Sequence, residues 1–301
     1  MSTPVAASAL TPERILHRLD WHIIRRLDGL LQGDYRGLLY GYGIDFADLR
    51  EYQPGDDIRS IDWNVTARMQ SPYVRQYIEE REVSAWFLLD LSPSMDFGAR
   101  ESLKRMVLID FVATFARLLT RHGNRVGAIF YGDKVEKVIP ARTGRLHVLR
   151  MINDLLQQPQ LPKATFTNLT PLLETGLRSL KRRSLVFIIS DFMSEPGWER
   201  ALNLLSRKHE VLAIRLWDAR ENELPEIGPL VLEDAETGEQ LYVDTSDKTF
   251  RKRFQELVQQ RETSLNDAFK RASVDALALS TEDDLVRAIM RFAQLRKQRR
   301  S

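Results

Sequence analysis

Short apolar runs alternate with amphipathic segments along most of the chain, from residue 83 onward. The runs at 83–91 and 185–190 are almost continuously apolar, which is typical of strands buried on both faces. Between and after these runs, apolar residues recur every three or four positions, the spacing of one face of an α-helix. Strands that alternate with helices in this way predict a doubly wound, mostly parallel α/β sheet with helices on both faces.

The same pattern predicts where the individual elements begin and end. Strands are predicted at residues 83–91, 125–131, 134–140, 185–190, 210–216 and 274–279, with a further hairpin formed by 230–233 and 240–243. Helices are predicted at residues 14–31, 100–121, 145–157, 171–181, 198–208, 249–272 and 283–297. The dipeptide Gly132-Asp133 is the predicted tight turn between two of the strands, and Thr237-Gly238 is the predicted turn of the hairpin.

Before residue 81 the pattern is different. Residues 1–12 are small and polar, and we expect a flexible tail there. Residues 13–80 contain one predicted helix and then a Gly- and Asp-rich stretch with few apolar positions. The apolar side chains of residues 13–80 are too few to form a core of their own. We therefore expect this segment to wrap around an α/β domain formed by residues 81–301.

Composition restricts the function classes. The chain of 301 residues is 43% hydrophobic and 29% charged, as in soluble globular proteins. It has no Cys, which excludes disulfides, thiolate metal sites, iron–sulfur clusters and cysteine nucleophiles. Its net charge of +2 provides no overall field to hold nucleic acid or an acidic membrane. No apolar run approaches the roughly 20 residues of a membrane-spanning helix, and the N-terminus has no secretory signal pattern, so we expect a cytoplasmic location.

Two carboxylates follow two of the predicted buried strands. Asp90 begins the string D-L-S-P-S, which contains Ser92 and Ser94, and Asp191 follows the run at 185–190. In an open α/β sheet, ligands bind at the carboxyl ends of the strands. Carboxylate and hydroxyl oxygens suit a hard cation such as Mg²⁺, and with few charged ligands such an ion keeps an open position for the carboxylate of a partner.

The D-x-S-x-S string, the hydroxyl-rich loop at 165–170 and the later Asp together resemble the metal-ion-dependent adhesion site of von Willebrand factor type A domains. The resemblance implies a von Willebrand factor A-like, Rossmann-like fold in which three hydroxyls bind the ion directly and two carboxylates act through water or hydrogen bonds. The implied metal residues are Asp90, Ser92, Ser94, Thr167 and Asp191. Thr165 and Thr170 are alternatives to Thr167, and Mn²⁺ or Ca²⁺ are alternatives to Mg²⁺. Where that family often has Gly-Gly, this chain has Thr165-Phe166.

A longer and more specific string covers residues 50–63, R-E-Y-Q-P-G-D-D-I-R-S-I-D-W. It is similar to the hallmark of a bacterial family known as domain of unknown function 58. Together, the two resemblances cover residues 35 to about 200. Relatives in that family are often encoded beside MoxR-type AAA+ ATPases, and this chain resembles the subtype without membrane helices. The resemblance implies a module that works with such an ATPase, or with its client, in protein complex maturation or stress response.

The signature can act in two ways. Pro54-Gly55 is a predicted turn, Asp56 or Asp57 can accept hydrogen bonds from nearby backbone N–H groups, and Arg–carboxylate pairs can hold the loop while Tyr52 and Trp63 pack it on the α/β domain. The alternative is a partner-binding surface or a supply of carboxylates. The signature residues are Arg50, Tyr52, Pro54, Gly55, Asp56, Asp57, Arg59, Asp62, Trp63 and Arg68.

Two functions from different classes remain open. The first is a non-enzymatic module in which the bound cation grips an acidic group of a partner protein. The second is a Mg²⁺-dependent phosphohydrolase with Asp90 as nucleophile, but Ser92 stands where such enzymes have a second Asp as acid and base. The chain has no G-x-x-x-x-G-K-[ST] nucleotide loop and no G-x-S-x-G hydrolase elbow. We interpret the basic residues at 178–183 as the C-terminal end of a helix, where cations offset the dipole.

Overall fold

The computed structural model describes residues 11–19, 48–58, 61–69, 71–76, 84–99, 102–161, 166–234 and 237–300. The strands are β1 (Asp48–Glu51), β2 (Tyr73–Gln76), β3 (Ser84–Asp90), β4 (Gly98–Ala99), β5 (Ser102–Leu103), β6 (Arg125–Tyr131), β7 (Val135–Arg142), β8 (Leu185–Ser190), β9 (Glu210–Trp217), β10 (Pro229–Glu233), β11 (Gln240–Asp244) and β12 (Asp275–Ser280). The helices are α1 (Pro12–Leu19), α2 (Trp63–Met69), α3 (Lys104–Arg121), α4 (Arg145–Leu156), α5 (Thr170–Ser179), α6 (Trp198–Lys208), α7 (Ala219–Asn222), α8 (Lys248–Arg271) and α9 (Leu285–Arg300).

Six of the strands form one central sheet in the order β12-β9-β8-β3-β6-β7. Neighbouring strands are parallel except β6 and β7, which pair antiparallel at one edge. The prediction of a doubly wound, mostly parallel sheet is therefore confirmed. The strand order reverses between β3 and β8, and this switch point is where open α/β sheets bind their ligands.

Two apolar cores cover the two faces of the sheet. Along β3, Phe87 and Leu89 belong to one core, whereas Trp86 and Leu88 belong to the other. Alternate side chains of a strand point to opposite faces, so a strand with a core on each side has to be apolar throughout. Phe187 of β8 stacks on Phe87 with a centroid distance of 5.2 Å.

Helix α1 is part of this packing. Its residues Ile15, Leu16 and Leu19 are at most 1% exposed and contribute to the first core, against α3 and α4. The predicted helix at 14–31 is described only as far as Leu19, and the rest lies outside the described residues. The division of the chain at residues 12 and 80 stays a prediction. No helix in the described ranges is both long and apolar enough to cross a membrane.

The helix predicted at 100–121 starts four residues later, at Lys104. Before it, β4 and β5 pair in a small antiparallel hairpin. The backbone N–H of Lys104 donates to the carbonyl of Phe97 at 3.1 Å, and Leu103 is extended, so helical backbone cannot begin earlier. The apolar spacing did not reveal this, because Leu103 continues the helical stripe of Val107 and Phe111 in sequence.

We expect the Phe187→Ala variant to lose about 3–5 kcal/mol of unfolding free energy, because Phe187 lies where the rings of Phe87, Phe111 and Phe115 meet. Urea unfolding measures this loss. Leu146→Ala removes a side chain of α4 that is 60% exposed and should cost well under half as much. Equal losses in the two variants would contradict the assignment of Phe187 to the centre of the core.

Candidate metal centre

Strands β3 and β8 bring the two predicted carboxylates together. The two strands are parallel neighbours, with Leu89 opposite Ile189. Asp90 and Asp191 therefore lie together at the carboxyl ends of these strands. Asp90 is completely buried and Asp191 is 3% exposed. The hydroxyl of Ser190 donates to Oδ2 of Asp90 at 2.6 Å, which joins the two strand ends directly.

Ser92 and Ser94 lie beside Asp90 in a buried turn. The backbone N–H of Ser92 donates to Oδ1 of Asp90 at 3.0 Å, and a 3-10 helix, Pro93–Asp96, follows. A serine here could simply cap that helix, but the Ser92 side chain forms no capping bond. Instead its Oγ lies 3.1 Å from Oγ of Ser94, and both residues are buried. The D-x-S-x-S string therefore gathers its carboxylate and hydroxyl oxygens at one place.

Hydrogen bonds connect the hydroxyl-rich loop at 165–170 to the segment after β8. The carbonyl of Thr167 accepts from the backbone N–H of Glu195 at 2.9 Å, and the Ser194 hydroxyl accepts from the N–H of Leu169 at 3.0 Å. Thr167 is 6% exposed. Thr170 is the first residue of α5, and Thr165 lies outside the described residues. Thr167 therefore stays the predicted ligand on the side of Asp191.

Asp90 is in an unfavourable position for a negative charge. Burial raises its pKa to about 7, the neighbouring charge of Asp191 adds to the increase, and hydrogen bonds from Ser190 and Ser92 oppose it. Among the residues that the structure describes, no cation pairs with Asp90. A buried carboxylate without a counter-charge is costly, so a cation at this place would stabilise it.

Lys104 is a charged residue of this centre that the sequence analysis missed. It is completely buried, and its Nζ lies 2.7 Å from Oδ2 of Asp191 and 2.5 Å from Oε1 of Glu221. Burial alone would lower the pKa of Lys104, but the charges of Asp191 and Glu221 outweigh burial and raise it. A signal for Lys104 was present, since it precedes Leu108 and Phe111 by four and seven positions on the buried stripe of α3.

Glu221 connects Lys104 to the next strands of the sheet. The second oxygen of Glu221 accepts from the backbone N–H of Asp218 at 3.0 Å, as part of a capping box at the start of α7. Asp218 in turn accepts from the hydroxyl of Thr281, just after β12, at 2.7 Å. The centre is thus held from the carboxyl ends of β3, β8, β9 and β12.

The donor chemistry fits a divalent cation. Asp90, Asp191 and Glu221 with the ammonium of Lys104 carry a net charge of −2 when all four are ionised, and every predicted ligand atom is an oxygen. Both oxygens of each aspartate already accept hydrogen bonds, which agrees with an indirect role. The described residues contain no group of three or more His, Cys, Asp or Glu side chains suited to a metal, so the three hydroxyls are essential to the predicted set.

The signature segment forms a small unit in which β1 and β2 pair antiparallel. Pro54 and Gly55 form the predicted turn, where Gly55 has φ +112°. Oδ2 of Asp56 accepts from the backbone N–H of Gln53 at 2.9 Å, which confirms the predicted backbone role of Asp56. Oδ1 of Asp62 accepts from a backbone N–H in the first turn of α2 at 3.3 Å. The two aspartates therefore stabilise local backbone.

The prediction that Trp63 packs the signature loop on the α/β domain is wrong. Trp63 is 66% exposed. Helix α2 instead turns Thr66 toward β2, where its hydroxyl accepts from the backbone N–H of Tyr73 at 3.0 Å, and this leaves Trp63 on the outer side. Ile58 and Met69 are also exposed, at 63% and 57%. The segment thus presents large apolar side chains to solvent.

The remaining signature residues differ in how far they are exposed to solvent. Tyr52 is half-buried, whereas Asp57 and Arg68 are exposed. Arg59 and the side chain of Arg50 lie outside the described residues. The clamp of Arg–carboxylate pairs therefore stays a prediction.

Comparison with known proteins gives a family and several relatives. The profile of the family described as protein of unknown function DUF58 matches residues 48–264. The uncharacterized protein Rv1480 of Mycobacterium tuberculosis is 36% identical over 282 residues, which are 94% of this chain and 89% of that protein. An aerotolerance-related membrane protein of Bacteroides fragilis has 13% identity and a TM-score of 0.47, over 72% of this chain and 99% of that one. The VWA domain of SpRpn10 has 12% sequence identity and a TM-score of 0.39, over 70% of this chain and 95% of that one.

We expect Lys104→Met to lose about 3–5 kcal/mol of unfolding free energy, because it leaves the buried Asp191 and the half-buried Glu221 without their shared cation. Urea unfolding at constant salt measures the loss. Lys137→Met is the matched control: it breaks a bridge to Asp154 in which the lysine is 44% exposed, and should cost less than about 1 kcal/mol. A loss no larger than that of the control would show that Lys104 is not the counter-charge of the centre.

Proposed function

The chain belongs to the DUF58 family, and on that premise we propose that it is a non-enzymatic interaction module that binds acidic groups of a partner protein through a divalent cation. The observation that supports this most strongly is the completely buried Asp90, without a cationic partner in the described part of the chain, beside the hydroxyls of Ser92 and Ser94. Mg²⁺ is the proposed ion, with Mn²⁺ and Ca²⁺ as alternatives. The proposed site residues are Asp90, Ser92, Ser94, Thr167 and Asp191.

Each residue has a distinct task in this proposal. The hydroxyls of Ser92, Ser94 and Thr167 bind the cation. The Oγ atoms of the two serines lie 3.1 Å apart. Asp90 and Asp191 supply negative charge without binding the cation directly. The Ser190 hydroxyl holds Asp90 in place, and a backbone N–H holds Asp191. When bound, the cation would offer a positive charge and an open coordination position to a carboxylate. No proton transfer or covalent step is required of the chain.

Lys104 limits the negative charge of the site. By neutralising one of the three carboxylates of the centre, Lys104 leaves an excess charge of −2, which a single divalent ion can balance. It also fixes Asp191, because a buried bridge at 2.7 Å restricts the carboxylate to one orientation. Lys104 is therefore a positioning residue for the proposed ion.

The proposed partner is a MoxR-type AAA+ ATPase or its client, in protein complex maturation or stress response in the cytoplasm. The support for this partner is the family resemblance. The exposed side chains of Ile58, Trp63 and Met69 favour the second interpretation of the signature, a partner-binding surface, because aromatic and Met side chains are enriched at protein interfaces. A contact there would supply apolar area, and the cation would supply specificity for an acidic residue.

The phosphohydrolase alternative is less well supported. Ser92 cannot donate and accept protons near neutral pH as a carboxyl group does. Lys104, the lysine of this centre, is completely buried and already bonded to two carboxylates, so it is not available to a phosphate group. Release of phosphate from phosphoesters by the purified chain, stopped by Asp90→Asn, would favour the enzyme and contradict the proposal.

We expect calorimetric titration of the metal-stripped protein to show one Mg²⁺ site. Asp90→Asn, which removes the charge but keeps the shape, should weaken Mg²⁺ binding at least about tenfold. Asp133→Asn is the control, because Asp133 is exposed in the β6–β7 turn and should leave the affinity unchanged. Equal affinity of the two variants, or no heat of binding in the wild type, would contradict the proposed site.

The partner is tested by capture of a purified MoxR-type ATPase on the immobilised chain in Mg²⁺ buffer. We expect the wild type to retain the ATPase and Ser92→Ala/Ser94→Ala to lose it, because the variant keeps the carboxylates but removes two ligand hydroxyls. Ser206→Ala removes a serine hydroxyl of α6 that donates to a helix carbonyl, and should retain the ATPase. If the double variant captures as well as the control, the ion does not mediate the contact.

A further inference from the structure

A cavity lined mainly by basic residues lies at the opposite end of the central strands from the candidate metal centre. It has a volume of about 710 Å³ and is bordered by the C-terminal ends of α5 and α6 and the loop before β8. Strands β8 and β9 begin here, whereas the metal centre lies where β3 and β8 end. Five of its eight described lining residues are cations: Arg178, Lys181, Arg182, Arg183 and Lys208. The other three are Leu177, Leu180 and His209, so none of the described lining residues is acidic.

These cations exceed what the helix ends require. Each helix C-terminus carries about half a negative charge, so the ends of α5 and α6 together carry about one. Arg178 also pairs with Glu174 of its own helix at 3.8 Å, on an exposed face. The interpretation of residues 178–183 as a basic helix end therefore accounts for only part of the cluster, since Lys181, Arg182 and Lys208 also line the cavity.

His209 provides an independent observation. It lines the cavity, is 4% exposed, and neither ring nitrogen has a hydrogen-bond partner within the described residues. Burial lowers the pKa of His209, and the charges of Lys208 and Arg183 lower it further, so the ring is held neutral. A neutral imidazole still carries one N–H donor, and a buried donor without an acceptor is rare in proteins. An anion in the cavity would supply the acceptor.

We propose that this cavity binds a small phosphate-class polyanion, with Arg182, Arg183 and Lys208 as its counter-charges and His209 as a hydrogen-bond donor. Guanidinium groups match phosphate oxygens in bidentate geometry, and Lys adds a compact charge. The volume lies within the roughly 300–1,000 Å³ of small-ligand sites. The site is independent of the metal centre and of the proposed function.

The test is calorimetric titration of the full chain with sodium pyrophosphate, in metal-free buffer at constant ionic strength. We expect one site in the wild type and at least about tenfold weaker binding in Arg182→Gln/Arg183→Gln, because two charge-assisted contacts are lost. Lys252→Gln/Arg253→Gln removes the same charge from the exposed surface of α8 and should change the affinity less than about twofold. Equal weakening in both variants, or no binding in the wild type, overturns the proposal.

A second variant tests His209 separately. His209→Leu should weaken pyrophosphate binding while the thermal stability is kept or raised, because a buried apolar side chain needs no hydrogen-bond partner. In the wild type, pyrophosphate should shift the ring nitrogen resonances of His209. Unchanged resonances and unchanged affinity in His209→Leu overturn its role. Tighter binding of a poly-glutamate peptide or a DNA oligonucleotide than of pyrophosphate, lost in Arg182→Gln/Arg183→Gln, overturns the assignment to a small ligand.

Discussion

Two buried carboxylates lie side by side where the central strands β3 and β8 end, and their mutual repulsion has to be compensated. Asp90 and Asp191 come from strands that are apolar on both faces, so little water is available to screen them. Lys104 provides a counter-charge for Asp191, whereas within the described ranges Asp90 accepts hydrogen bonds from Ser92 and Ser190 and pairs with no cation. This unequal compensation is the physical basis for proposing a cation at the site.

The bridge from Lys104 also organises the carboxyl edge of the sheet. It joins the first residue of α3 to the end of β8 and, through Glu221 and the capping box of α7, to the ends of β9 and β12. A buried ion pair of this kind adds little stability compared with apolar packing, but removal of one partner is costly. It therefore specifies one arrangement of these strand ends, and with it the positions of Asp191 and its neighbours.

The carboxyl ends and the amino ends of the central strands have opposite electrostatic character. Helices α5 and α6 end near the amino ends of β8 and β9, among the basic residues that line the cavity with His209. The carboxylates Asp90 and Asp191 lie where β3 and β8 end. Each of the two ends thus has a charged cluster. The acidic cluster is the basis for the proposed cation, and the basic cluster is the basis for the proposed anion.

The six strands of the central sheet, the longer helices between them and the positions of Asp90 and Asp191 at strand ends could be predicted from the sequence alone, whereas β1, β2, β4, β5, α2 and α7 were not predicted. The predicted strands at 125–131 and 185–190 and the predicted helix at 198–208 agree with the structure, because apolar periodicity is a local signal that buried elements have to obey. The hydroxyl ligands remain predictions. Only the tertiary structure decided that Lys104 pairs with residues 87 and 117 positions away and that Trp63 faces solvent. It also decided that a basic cavity is lined by His209, whose ring nitrogens have no hydrogen-bond partner among the residues described. Strand order and helix packing create these contacts between distant residues, and no local pattern in the sequence encodes which charges will meet.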